Sequence, residues 1–232
     1  MSKNWESFFK ERERGLIQDL WDSLSGHQIM ISRILRYTPY GQRVCEMGVG
    51  RGHVLLLLAE KGLVSIGIDS DAGVVSNLQN LSKRFDITVE THTQDFFSEM
   101  NFIDSVYTIY NSGVMEHFSL SQIETLILRW SKISKYIILS IPYKSVFSSV
   151  KMVYGDENFY TYEQFKKLFS HIKNIEIVEG ASFNHSFSLY NKLRKPFLLY
   201  EGHNFLVTAL NFLLKPFDIL CGNELLFVLR TR

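Results

Sequence analysis

Three residue types at fixed spacing stand out between Arg43 and Asp69, in the run RVCEMGVGRGHVLLLLAEKGLVSIGID. Glu46 sits inside a short apolar run, Val44 to Met47. Gly48, Gly50 and Gly52 follow at alternate positions, and a second apolar run ends in Asp69. Glycines permit backbone dihedrals and a closeness of approach that a Cβ forbids. A helix opening near Gly52 presents unpaired N–H groups to whatever rests on the loop. An acid closing the second run suits the two hydroxyls of a ribose. Strand, glycine loop, helix, strand and acid make half of a nucleotide-binding fold. A dinucleotide site asks for Gly-x-Gly-x-x-Gly, with a pyrophosphate on the helix end. The spacing here is Gly-x-Gly-x-Gly, and Glu46 lies two residues before the first glycine. A carboxylate there repels a pyrophosphate and favours a cation. A glycine turn in an α/β protein without a nucleotide is the plainest alternative.

Glu46-x-Gly48-x-Gly50-x-Gly52 resembles the first motif of the class I S-adenosylmethionine-dependent methyltransferases, whose ligand carries a sulfonium and an ammonium group. The segment IDSVYTIYNSGVMEHF, Ile103 to Phe118, resembles the fourth-strand motif of the small-molecule members, including its Gly-Val-x-Glu-His-Phe ending. The resemblance spans residues 40 to 180 and implies S-adenosyl-L-methionine as cofactor. It implies that Glu46 and the three glycines hold the ligand's cationic end, and that Asp69 with Ser70 takes the ribose. It gives Asp95 the adenine amino group while the backbone of Phe96 reads the ring. Asn111, Ser112 and Gly113 then face the methionine part. A hydroxyl or phenol acceptor must also lose a proton. His117, just after strand four, is the first candidate base, and Tyr143 follows, with Tyr160 and His185 behind them.

Absent motifs narrow the acceptor. No Asp/Asn-Pro-Pro-aromatic follows strand four, where the chain has Tyr110-Asn111-Ser112-Gly113, so methylation of base or glutamine amino groups is not indicated. No Pro-Cys nucleophile stands at strand four or five. The seven histidines show no zinc spacing, and no metal site is expected. The expected reaction is methyl transfer to a small molecule through an oxygen, nitrogen or carbon nucleophile. An NAD(P)-binding oxidoreductase, disfavoured by Glu46 and the glycine spacing, is the alternative, and a non-catalytic protein on the same fold is the other.

The elements that must position these residues alternate. Strands are expected over about 43–47, 64–69, 87–91, 103–110, 136–141, 174–179 and 224–231. Helices are expected over about 52–61, 72–84 and 162–171, with Asp71 as an N-cap and capping boxes at Ser121-x-x-Glu124 and Thr161-x-x-Gln164. Such alternation predicts a seven-stranded, mostly parallel sheet with helices on both faces. No helical crossover separates strands six and seven, which predicts an antiparallel last strand. Residues 5 to 37 read as helices broken at Ser25-Gly26, an N-terminal helical cap over residues 1–40 that either packs on the domain edge or serves as a lid. Residues 41–232 form the Rossmann-like domain, with an apolar insertion at about 182–222. Packing, a substrate wall or a homodimer face are the roles open to that insertion, and its low basic content disfavours membrane contact.

Bulk properties agree. The chain has 232 residues, 46% of them apolar and 21% charged, as a soluble globular domain has. The net charge of +1 gives no basic field, so nucleic acid is not an expected partner. No signal peptide is recognisable, and a cytoplasmic protein is expected. The two cysteines, Cys45 and Cys221, offer no disulfide framework.

Overall fold

The computed structural model describes residues 5–11, 15–98, 104–143, 157–183 and 224–232. Helix α1 (Trp5–Glu11) and helix α2 (Leu16–Tyr37) precede the sheet. The sheet is built from β1 (Arg43–Met47), β2 (Val64–Asp69), β3 (Glu90–Thr93), β4 (Val106–Ser112), β5 (Ser134–Pro142), β6 (Ile175–Phe183) and β7 (Glu224–Thr231). Between them lie α3 (His53–Glu60), α4 (Ala72–Phe85), a 3-10 turn (Met115–His117), α5 (Leu120–Trp130) and α6 (Tyr162–His171). Strand order is β3-β2-β1-β4-β5-β7-β6, with β7 antiparallel to both β5 and β6. The expected antiparallel close is present.

The central strands form because their side chains are largely apolar on both faces, as a covered parallel sheet requires. On one face, Met30 and Ile34 of α2, Leu55 and Leu58 of α3, and Leu78 of α4 pack on Val44, Tyr110 and Ile138. On the other, Ile123 and Trp130 of α5 and Phe165 and Phe169 of α6 pack on Cys45, Ile109 and Ile137. Cys45 is a buried free thiol. β1 pairs with β2 on one side and β4 on the other, so the chain runs outward in both directions from there. A ligand crevice opens beyond the strand ends at such a reversal.

Several boundaries differ from the sequence expectation. α2 runs unbroken through Ser25-Gly26 as one 22-residue helix. A helical glycine costs about 1 kcal/mol relative to alanine, and burial of the Met30, Ile31 and Ile34 stripe outweighs it. The box that opens α5 is Ser119 with Gln122, not Ser121 with Glu124. Only that register puts Phe118 before the cap and Ile123 at the fourth helical position, both in the core, as a hydrophobic staple. The box two residues on would have placed Thr125 there. The Thr161–Gln164 box and the Asp71 cap are present as expected. β3 and β4 lie two to three residues later than expected. β6 runs on to Phe183 past a bulge between Ile177 and Glu179. Ser182 and Phe183 are therefore strand, and Pro142 is the last residue of β5, paired with Glu224. The rest of the insertion, with Phe205 to Leu214, His185, His203 and Cys221, lies outside the described residues.

Candidate functional site

The glycine loop is forced by sterics. Gly48, Gly50 and Gly52 all have positive φ, at 84°, 52° and 70°. A Cβ on Gly48 would strike Val114, and one on Gly52 would stand 2.6 Å from Leu78. Gly52 then caps α3 in the left-handed region.

Asp69 ends β2 against this loop and is buried. Its Oδ2 accepts from the Val49 N–H at 3.0 Å and its Oδ1 from the Asp71 N–H at 3.0 Å. Burial raises its pKa, and backbone N–H groups of Asp71, Val49 and Gly50 hold it down. Each oxygen still has a lone pair to offer, so the carboxylate is fixed and able to accept from a diol.

Asp71 caps two helices with one carboxylate. Its Oδ1 accepts from Gly73 and Val74 at the start of α4, at 2.9 and 3.3 Å. Its Oδ2 accepts from Trp5 and Glu6 at the start of α1, at 2.9 and 3.2 Å. That second cap pins α1 across the loop. The Phe9 ring lies over Gly50, 3.3 Å from where a Cβ would stand. The Trp5 ring meets the His117 ring edge-on, with centroids 5.5 Å apart.

Of the three cavities that open under α1, two share Phe9, Gly48, Gly50, Ser112 and Gly113 on their walls. The smaller, about 390 Å³, collects Asp69, Ser70, Asp95, Phe96 and His117. Asp95 is exposed, and its Oδ1 accepts from the Phe97 N–H at 2.9 Å, which orients the loop; Phe96 beside it is buried. The larger, about 760 Å³, is lined by Glu46, His53, Ser140 and Glu224, with Asp19 and His27 of α2.

Glu46 is almost wholly buried on the wall of the larger cavity. Burial drives its pKa up to about 8, the Tyr110 hydroxyl beside it pulls it back, and the charge of Asp69 pushes it further up. Its Oε2 and the Tyr110 hydroxyl have no partner at hydrogen-bond geometry among the described residues. Asn111 is fully buried and its Nδ2 donates to the Met47 carbonyl, tying β4 to the end of β1; its Oδ1 has no partner among the described residues. Asn111 lines neither cavity; the acid on the cavity wall beside the glycine loop, Glu46, suits a donor-bearing cation.

The structure thus brings Glu46, Gly48, Gly50, Gly52, Asp69, Ser70, Asp95, Phe96, Ser112, Gly113 and His117 onto one continuous crevice, and leaves Asn111 buried behind it. Tyr143 is elsewhere: it is buried in the α5–α6 core, with its pKa raised by burial, and lines neither cavity. Tyr160 donates to the Phe118 carbonyl at 3.0 Å. No group of three or more metal-binding side chains exists among the described residues. No helix among them is long and apolar enough to cross a membrane.

Sequence reasoning missed Asp19, Arg51, His53 and Glu224. Arg51 pairs with the buried Asp19 of α2, and Ser140 Oγ donates to Glu224 Oε2 at 2.9 Å. Arg51 and His53 flank the last glycine of the motif, a signal that was present. Asp19 and Glu224 reach the cavity only through the packing of α2 and β7.

No protein-family model matches the chain, and no curated protein matches it either. Solved structures do. Magnesium protoporphyrin IX methyltransferase (ChlM) from Synechocystis PCC 6803 with bound SAH aligns over 98% of this chain and 96% of that one, with TM-score 0.67 at 14% identity. Geranyl diphosphate methyltransferase in complex with SAM aligns over 90% and 85%, with TM-score 0.63 at 10% identity. The [4+2]-cyclase SpnF aligns over 87% and 79%, with TM-score 0.61 at 14% identity. Strand order, the antiparallel β7 and these alignments agree: the chain has the fold of the class I, Rossmann-like methyltransferases.

Proposed function

We propose that the chain binds S-adenosyl-L-methionine along the crevice and transfers its methyl group to a small-molecule acceptor in the larger cavity. The observation that carries this is Glu46, a buried carboxyl on the wall of the larger cavity beside a three-glycine loop. A pyrophosphate would be repelled there, and a sulfonium or ammonium is attracted. SAM- and SAH-bound neighbours of the same fold support the assignment. The cyclase neighbour shows that the fold serves other reactions, so the argument rests on the site.

In this reading Asp69 and Ser70 take the ribose hydroxyls, Asp95 and the Phe96 backbone take adenine, and Gly48, Gly50 and Gly52 let the ligand lie against the loop. Glu46, Ser112 and Gly113 face the methionine part, and Asn111 behind them ties β4 to the end of β1. The bound group supplies an electrophilic methyl, and alignment in a water-poor pocket supplies much of the rate. The N-terminal cap of residues 1–40 is the lid, latched by Asp71. His117, under Trp5, closes the adenosine end and does not line the acceptor cavity, so it is given no proton-transfer role. Tyr143 is given no proton-transfer role. In this reading the chain is a cytoplasmic enzyme whose acceptor is a small molecule and not a nucleic acid.

Titration calorimetry with S-adenosylhomocysteine and with NAD tests this. Binding of S-adenosylhomocysteine alone is expected, and binding of NAD alone overturns the reading.

A further inference from the structure

One imidazole on the larger cavity has its tautomer set by the fold. Asp19, Ser23 and His27 stand four residues apart on α2, so they share one face of the helix, and all three line that cavity. Arg51 pairs with Asp19 and so holds this face over the glycine loop. His27 Nδ1 lies 2.6 Å from the Ser23 carbonyl oxygen. A carbonyl only accepts, so Nδ1 carries the hydrogen, and in the neutral ring Nε2 keeps a lone pair. Nε2 has no hydrogen-bond partner among the described residues and remains accessible. His53 on the same cavity differs, because its unpartnered Nδ1 is buried. His171 of α6 makes the same bond to the Lys167 carbonyl, also at 2.6 Å, but lines none of the three cavities. The bond to the preceding turn is therefore ordinary, and the wall in which it sits sets His27 apart. Phe8 and Phe9 of α1, Val54 of α3 and Pro142 of β5 give that cavity apolar surface, and the two phenylalanine rings meet edge-on with centroids 5.4 Å apart. Such a wall suits a flat ring.

We infer that the acceptor is a phenol and that His27 is the catalytic residue that takes its proton. This rests on the methyl-transfer reading above. A hydroxyl attacks a sulfonium methyl slowly while it keeps its proton, so a positioned base speeds the step. The hydroxyl gives its proton to His27 Nε2, an oxygen lone pair forms the new O–C bond, and the methyl–sulfur bond breaks with its electron pair left on sulfur. The sulfonium becomes a neutral thioether, and the positive charge passes to the imidazolium. The Ser23 carbonyl, still accepting from Nδ1, stabilises that cation, which returns the Nε2 proton to solvent. A phenol surrenders its proton to an imidazole more readily than an aliphatic alcohol does, and its ring covers the apolar wall. Among the described residues, the charged and titratable groups that share the cavity with His27 are Glu11 of α1, Asp19 of α2, Glu46 of β1, Arg51 of the loop, His53 of α3 and Glu224 of β7.

The test uses the full chain. Saturated with S-adenosylhomocysteine at pH 6, it is titrated with 4-nitrophenol, whose phenolate is coloured. The phenolate band is expected to grow on binding and to be lost in His27→Gln. With S-adenosylmethionine, 2-naphthol is expected to be methylated with a kcat/KM at least about ten-fold above that of 2-naphthalenemethanol or 2-naphthalenemethanamine. His27→Gln should cut kcat by about a hundred-fold and remove the acid limb of the kcat/KM profile, with S-adenosylhomocysteine affinity unchanged. His27→Asn, whose amide can keep a bond to the Ser23 carbonyl, together with a thermal melt separates this from misfolding. His171→Gln should leave every reading unaltered. A phenolate band that persists in His27→Gln, an alcohol or amine methylated as well as the phenol, no binding of either phenol to the saturated chain, or an unaltered acid limb overturns the inference. A chain that fails to bind S-adenosylhomocysteine at all overturns the methyl-transfer reading itself, and this inference falls with it.

Discussion

The two ends of the crevice are built by different means. The smaller cavity is framed by main chain and fixed acids. Asp69 is held by the Val49 and Asp71 N–H groups and Asp95 by one, while Asp71, outside the cavity, is held by four. The larger cavity is framed by side chains with spare capacity, among them Glu46 and His53 with unpartnered atoms. An end that is already hydrogen-bonded is preorganised for one ligand and costs little to keep ordered. An end with open polar atoms is stable only when something fills it, and there protonation should follow binding. Changes at the first end should cost binding energy at any pH, and changes at the second should alter pH dependence.

Asp69→Ala is the largest break expected. It removes the ribose acid and orphans the Val49 and Asp71 N–H groups, so S-adenosylhomocysteine affinity should fall by about 1–3 kcal/mol at every pH. Calorimetry at pH 6 and pH 9 checks that the loss is the same at both.

Glu46 should behave in the opposite way. Its pKa of about 8 without ligand lies above the ordinary carboxyl value, so ionisation works against the folded state as pH rises towards 8. A bound cation favours the ionised form and lowers that pKa. Affinity should therefore grow as pH rises, by up to about ten-fold per unit, and level off above about 8. Below that pH each binding event should release a proton, seen as a buffer-dependent calorimetric enthalpy. Glu46→Gln should abolish both effects, and their persistence in that variant would place the titrating group elsewhere.

Asp71→Ala tests the lid apart from either end. Two helix caps are lost together, at about 0.5–2 kcal/mol each in comparable cases. Thermal denaturation should show a lower Tm, and ligand release in stopped-flow should quicken, because α1 is too short to stay helical undocked. A lower Tm with unchanged release would make α1 mere packing.

Capping register gives the smallest contrast. Ser119→Ala should destabilise by about 1 kcal/mol in a denaturant melt, and Ser121→Ala by a few tenths at most. Equal losses would contradict the observed start of α5.

Legibility followed the same division. β1, β2 and β7 were readable to the residue, because each is an apolar run with a chemical punctuation mark at its end. β3, Glu-Thr-His-Thr, was not, since an edge strand paired on one side only needs little apolar content. The preorganised end was legible because glycines and acids there answer to backbone geometry within a short stretch. The open end was legible only at Glu46, the glycine loop, Ser112 and Gly113. Asp19, His27 and Glu224 meet only when α2 packs on α3 and β7 inserts between β5 and β6, and no local spacing encodes that meeting. Gly26 misled for a related reason: a glycine reads as a break locally, and the tertiary stripe beneath it decides otherwise.

A crystal structure with S-adenosylhomocysteine bound tests the central claim most directly. The account predicts ribose hydroxyls on Asp69, adenine in the smaller cavity, sulfur beside Ser112 and Gly113 where the cavities meet, and the amino group turned towards Glu46. A ligand bound away from the glycine loop, or one whose amino-acid end lies in the smaller cavity, would contradict it.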